Sequence, residues 1–128
     1  MSTSIPEQLR YAKTHEWVRL EGNVAVVGIS DHAQRELTDI VFVELPKVGR
    51  EVKAGDACVV IESVKTAADV YSPVSGTIVE VNTALSSDPG LVNRDPYGAG
   101  WLFKVQVSDP KEVDLLLDSK AYAQHIGA

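Results

Sequence analysis

The chain has 128 residues, 12 basic and 18 acidic, for a formal net charge of −6. That length fits one compact core, and 45% apolar with 23% charged residues is too apolar for a disordered chain. One cysteine excludes an internal disulfide, a CxxC redox pair and a cysteine-rich zinc site, and the acidic balance argues against a nucleic-acid binder.

Residues 1–7 lack the charged and apolar regions of a signal peptide and are not an Arg-rich transit peptide. A cytoplasmic location is therefore expected, or the mitochondrial matrix if a presequence has been removed. No apolar stretch approaches the roughly 18 residues needed to span a bilayer, so no membrane role is expected. Nineteen valines and short alternating runs predict a mainly β chain. Residues 17–20 and 24–29 flank Glu21-Gly22-Asn23 and read as a hairpin. Ser30 or Asp31 is placed to cap a short helix over 32–37. Strands follow over 39–45, stopped by Pro46, then over 56–62 and 67–71 on either side of Ser63-Val64-Lys65-Thr66. Residues 73–76 form a turn and 77–82 another strand. Residues 83–97 carry Pro, Gly, Asn and Asp and read as loop with at most one helical turn. A strand over 101–107 follows. A helical segment over about 109–126 is expected to start with Asp109 as cap, Pro110 at the first helical position and Glu112 closing a capping box. Val113, Leu116 and Leu117 form its apolar stripe. Trp17 and Trp101 are expected to fill the core.

One domain over 1–128 is predicted, with its core over about 11–107. Short strands between Gly and Pro turns predict a small sandwich or barrelled hybrid, with short helices and a C-terminal helix. A faint echo between residues 55–62 and 76–82 suggests two similar half-sheets around one central turn. That turn holds Lys65. Strand-like sequence on both sides sets this lysine at a hairpin tip, solvated and reachable. By physics alone it is a surface charge that blunts a β edge.

Most other candidate chemistry falls away. His15 and His125 have no partners at metal-ligand spacing, so no metal site is expected. Gly98-Ala99-Gly100 is too short for a dinucleotide fingerprint, and there is no GxSxG, P-loop or HExxH. Glu44, Glu62 and Glu80 have no carboxylate partners and read as solvated. Cys58, within an apolar strand, reads as a small buried hydrophobe.

Glu62-Ser63-Val64-Lys65 combines with Gly28-Ile29-Ser30-Asp31-His32-Ala33-Gln34, Asp39-Ile40-Val41-Phe42-Val43-Glu44-Leu45-Pro46, Tyr71-Ser72-Pro73-Val74-Ser75-Gly76 and Asp95-Pro96-Tyr97-Gly98-Ala99-Gly100-Trp101. On these motifs the chain resembles the lipoyl and biotinyl carriers, and within them the H-protein family of the glycine cleavage system, from about residue 11 to residue 122. The resemblance implies a lipoyl-domain-like fold and (R)-lipoate in amide linkage to Lys65. Biotin carriers place methionines beside their lysine; Val64 and Thr66 favour lipoate. It implies that Glu62 and Gly76 help the lipoylating enzyme recognise the turn. It implies a cleft that shelters the loaded arm, with His32 beside it and Glu16 and Asp69 as further candidates to hold the amine. Thr38 stands where many members have glycine, and Thr66 where alanine is common.

The implied role is a non-catalytic carrier that takes the aminomethyl group of glycine from a pyridoxal-phosphate glycine decarboxylase to an aminomethyltransferase. A dihydrolipoyl dehydrogenase then reoxidises the arm. A monomer is expected. Two alternatives remain: a relay that hands lipoyl groups to other complexes, and an enzyme using Lys65 as a Schiff-base nucleophile, which needs a buried lysine.

Overall fold

The computed structural model describes residues 4–128; Met1, Ser2 and Thr3, which begin the predicted domain span and the N-terminal segment, lie outside the described residues. In chain order the elements are β1 (Arg10–Tyr11), β2 (Glu16–Glu21), β3 (Val24–Ile29), α1 (Asp31–Leu37), β4 (Ile40–Glu44), β5 (Glu51–Val52), β6 (Ala57–Ser63) and β7 (Ala67–Tyr71). Then come β8 (Gly76–Val81), α2 (Ala84–Ser87), α3 (Leu91–Arg94), β9 (Phe103–Val107), α4 (Lys111–Asp114) and α5 (Ser119–Ile126). Among the described residues, no helix is long and apolar enough to cross a membrane.

The strands form two antiparallel sheets. One runs β1-β2-β3-β9-β8-β5 and the other β4-β6-β7. The sandwich expectation holds, but the sheets stay open and no barrel closes. They are also unequal, six strands against three, so the echo between β6 and β8 does not mark two similar halves. The two-residue strands β1 and β5 escape sequence reading because they are too short to show a period.

Valine and isoleucine from both sheets meet between them. Val27 and Ile29 of β3, Ile61 of β6, Val70 of β7, Ile78 of β8 and Val105 of β9 belong to one buried cluster. Each such side chain contributes roughly 1.5–3 kcal/mol on burial. The outer face of the large sheet carries a second cluster of Leu9, Tyr11, Trp17, Val26 and Tyr122. Strand β3 is thus covered on both faces, which is why it reads as a continuous apolar run rather than an alternation. Trp17 is fully buried, and its indole Nε1 donates to the Pro96 carbonyl at 2.9 Å. Trp101 is only half-buried, under the Lys104 ammonium 5.0 Å from its ring.

Ser30 caps α1 as expected, its Oγ accepting from Ala33 N at 3.2 Å. The predicted capping box at Glu112 does not form. Asp109 Oδ1 does accept from Lys111 N at 3.1 Å, but the Glu112 carboxylate is drawn away by Ser75, whose N and Oγ donate to it at 2.8 and 3.0 Å. The helical segment breaks into α4 and α5 because Asp118 starts a new helix, its Oδ1 accepting from Ala121 N at 2.8 Å. Residues 83–97 hold two short helices rather than one turn.

Candidate functional site

Strands β6 and β7 pair as far as Glu62 opposite Ala67, so Ser63, Val64, Lys65 and Thr66 close the hairpin. Two-residue hairpin loops favour turns with positive φ at the central residues. Neither Val64 nor Lys65 has positive φ. Ser63 compensates with its side chain. Ser63 Oγ accepts from Lys65 N at 3.2 Å and from Thr66 N at 3.1 Å, while Ser63 N donates to the Thr66 carbonyl at 2.7 Å. A serine hydroxyl thereby replaces a backbone acceptor at the tip.

A further bond ties the tip down: Val64 N donates to the Asp39 carbonyl at 3.0 Å, just ahead of β4. Lys65 is exposed, and its Nζ donates only to the Glu36 carbonyl at 3.4 Å, at the end of α1. The backbone at the root is hydrogen-bonded and the amine is exposed to solvent. A Schiff-base lysine needs burial, which this position does not provide. Val64 (69% exposed) and Phe42 (50%), whose strand position faces Glu62, leave apolar surface beside the lysine.

Beneath the turn lies a cavity of about 150 Å³. Ala68, Asp69 and Val70 of β7 form one wall, and Ala33, Glu36 and Leu37 of α1 form another. Glu16 also lines it and is 1% exposed. Its Oε2 accepts from Tyr71 N at 3.0 Å, and Oε1 accepts from the Thr14 hydroxyl. Burial pushes the Glu16 carboxyl above its ordinary pKa, and these hydrogen bonds offset only part of that. A cationic amine entering the cavity would restore a countercharge. The apolar walls and buried acid thus suit a chain that is greasy along its length and basic at its end.

The structure brings Glu16 and Asp69 together in the lining of this cavity. His32 lies just behind the wall: its ring is 5.0 Å from the His15 ring, and its Nε2 is 3.2 Å from Glu36 Oε1. Glu62 is exposed one residue before the end of β6 and faces Phe42 and Ala67 across the sheet. Gly76 is elsewhere. It begins β8 in the other sheet, where it pairs with Val107 and Val52, and a Cβ there would overlap the Gln106 carbonyl. Close packing of backbones is a sufficient reason for glycine at that position.

Several contributors were not singled out in the sequence. Ser63, Asp39 and Glu36 shape or anchor the turn; Ser63 and Asp39 stand within the quoted motifs without this role, and Glu36 lies four residues after His32 on one helical face. His15 and His125, expected to stand apart, lie with ring centroids 5.9 Å apart. His15 is held below its ordinary pKa by burial and then by neighbouring His32. Cys58 is buried as expected, and burial pushes its thiol up to about 12.

Comparison with known proteins covers nearly the whole chain. The family model for glycine cleavage H-protein matches residues 9–128. A glycine cleavage system H protein of Symbiobacterium thermophilum is 56% identical over 119 residues, covering 93% of each chain. One of Thermotoga maritima is 58% identical over 115 residues, covering 90% of this chain and 93% of its own. The crystal structure of a glycine cleavage system H protein from Mycobacterium marinum superposes with a TM-score of 0.89 at 44% identity, over 97% of this chain and all of that one.

Proposed function

The chain belongs to the glycine cleavage H-protein family and serves as a lipoyl carrier in that system; from this premise we propose that Lys65 is the residue that bears the lipoyl arm. The observation that carries the proposal is an exposed lysine on a pinned hairpin tip whose amine reaches Glu36, a residue lining a cavity that also holds a buried acid. When attached, the lipoyl group supplies a reversible disulfide–dithiol couple and the thiol that takes up the aminomethyl unit of glycine. The chain's own thiol is unsuited to that work, being single, buried and protonated.

The residues around the turn then have distinct tasks. Ser63 and the Asp39 carbonyl hold the root still. Acylation removes the Lys65 charge and releases its long contact with the Glu36 carbonyl. Ala33, Leu37 and Val70 exclude water from an arm lying in the cavity, which protects a labile cargo. Glu16 and Asp69 attract its amine, and His32 supports the wall behind Glu36. Glu62, exposed beside the turn, is read by the lipoylating enzyme. Gly76 acts at a distance, by fixing how β8 leaves the end of β7.

The chain itself is non-catalytic in this reading. Its partners are the pyridoxal-phosphate glycine decarboxylase, the aminomethyltransferase and the dihydrolipoyl dehydrogenase, visited in turn by a cytoplasmic monomer. Such visits need small, weak interfaces, for which Val64 and Phe42 offer a limited apolar contact. No further observation favours the lipoyl-relay alternative. Peptide mapping of protein from a lipoate-competent host tests the assignment: the adduct is expected on Lys65. Lys65→Arg is expected to keep the melting temperature and abolish glycine–bicarbonate exchange in the reconstituted system. An adduct on Lys53, or exchange retained by Lys65→Arg, overturns the proposal.

A further inference from the structure

All three histidines of the chain converge, although they come from the turn before β2, from α1 and from α5. Beside them stands Glu36, one helical turn beyond His32. The donor atoms of His15, His32 and Glu36 all lie within 4.8 Å of one another. We propose that His15, His32 and Glu36 form a binding site for a divalent transition-metal ion of the zinc type.

Four observations carry this assignment. The first is geometric. Two donors at zinc bond lengths of about 2.0–2.1 Å in a tetrahedral site sit roughly 3.3 Å apart. His32 Nε2 and Glu36 Oε1 already stand at 3.2 Å, and a His15 ring nitrogen lies within 4.8 Å of the other donors. The second is the donor set. Two imidazoles and one carboxylate suit zinc, cobalt or nickel, whereas calcium and magnesium require oxygen donors throughout.

The third is the support behind His15. Its Nδ1 is 2.8 Å from the Tyr122 hydroxyl, which is 2.7 Å from Ser30 Oγ. The tautomer with its proton on Nδ1 donates into that chain and leaves the Nε2 lone pair bare. Ligating histidines characteristically have their second nitrogen held in this way. His15 also has a φ of 81°, in the left-handed region, and is locked there by His15 N donating to the Ala12 carbonyl at 3.0 Å and Ser30 N donating to the His15 carbonyl at 2.9 Å. Non-glycine residues held at positive φ concentrate at functional sites. The fourth is access. The Glu36 side chain is 64% exposed and that of His32 25%, so an ion reaches the site without opening the fold. His125 is excluded as a primary ligand because its Nε2 is engaged with the Lys13 carbonyl at 2.9 Å.

The site is independent of which lysine carries the arm. It does share Glu36 and His15 with the cavity below the turn, so a bound ion alters the mouth of that cavity.

The test uses the full-length chain without lipoate, stripped of metal by a chelator. Titration with Zn²⁺ by calorimetry is expected to give one ion per chain, and Co²⁺ is expected to give a visible tetrahedral absorption band. His32→Gln and Glu36→Gln are each expected to weaken Zn²⁺ binding by about tenfold or more and to remove the band. Both positions are accessible, so metal-free melting temperatures should match the parent. Histidine ¹⁵N spectra are expected to show Zn²⁺-dependent shifts at Nε2 of His15 and His32. Absence of saturable one-to-one uptake, or uptake unchanged in both variants, overturns the assignment.

Discussion

Gly28 and Trp17 face each other across β2 and β3, and the side chain that one lacks is the space that the other fills. A Cβ at residue 28 would lie 2.6 Å from the indole ring, closer than carbon atoms pack. The indole cannot retreat, because its Nε1 is bonded to the Pro96 carbonyl and its ring is enclosed in the outer cluster. Gly28→Ala is therefore expected to destabilise the fold by about 1–3 kcal/mol, measured by urea denaturation. The same scale governs the turn. Lys65 needs no special chemistry of its own; what distinguishes it is that Ser63 and Asp39 hold its backbone while its amine stays in solvent.

The end of α1 shows how an element carries strain on behalf of a site. Thr38, at its C-cap, has φ 64° and ψ −147°, a region that is almost exclusively glycine's. The conformation turns the chain sharply from α1 into β4, bringing Glu36 and Asp39 to the Lys65 turn. Asn93 of α3 holds the corner: its Nδ2 donates to the Thr38 carbonyl at 2.8 Å, and its Oδ1 accepts from Ile40 N at 2.9 Å. Because the strain belongs to the side chain's Cβ and the support to backbone groups, glycine relieves the first and keeps the second. Thr38→Gly is expected to stabilise the protein by about 1 kcal/mol, the relief of strain exceeding the extra unfolded-chain entropy. A raised midpoint of thermal or urea unfolding checks this; a lowered one shows that the threonine side chain contributes more than its strain.

At the scale of the whole molecule, α5 closes the outer face of the large sheet. Tyr122 stacks on Tyr11 with ring centroids 4.5 Å apart and planes 8° from parallel. Its hydroxyl joins Ser30 at the start of α1 to His15 ahead of β2. One side chain from the C-terminal helix thus ties together the segments that wall the cavity. Tyr122→Phe keeps the stack and removes the hydroxyl, at an expected cost of about 1–2 kcal/mol in urea unfolding. The loss should also raise amide exchange at Ser30 and His15, whereas a purely local packing role for the ring leaves exchange there unchanged.

Local sequence was sufficient for much of this. The β2–β3 hairpin, the Ser30 cap, the strands on either side of Lys65 and the burial of Cys58 follow from apolar alternation and turn chemistry, which act over a few residues. The family motifs drew attention to the turn lysine, and Glu16 and Asp69, named as candidates beside it, line one cavity. What tertiary structure alone decided is different in kind. The two open sheets are unequal because strand pairing joins residues far apart in sequence. Glu112 abandons its capping box because Ser75, from a distant turn, offers better partners. At Gly76 a Cβ would overlap the Gln106 carbonyl of a strand thirty residues on, a constraint that no local pattern shows. His15, His32 and His125 show no metal-ligand spacing along the chain, yet folding brings them to one place. Local propensity is a property of neighbours in sequence, and a cluster assembled from separate helices and a turn has none until the core has packed.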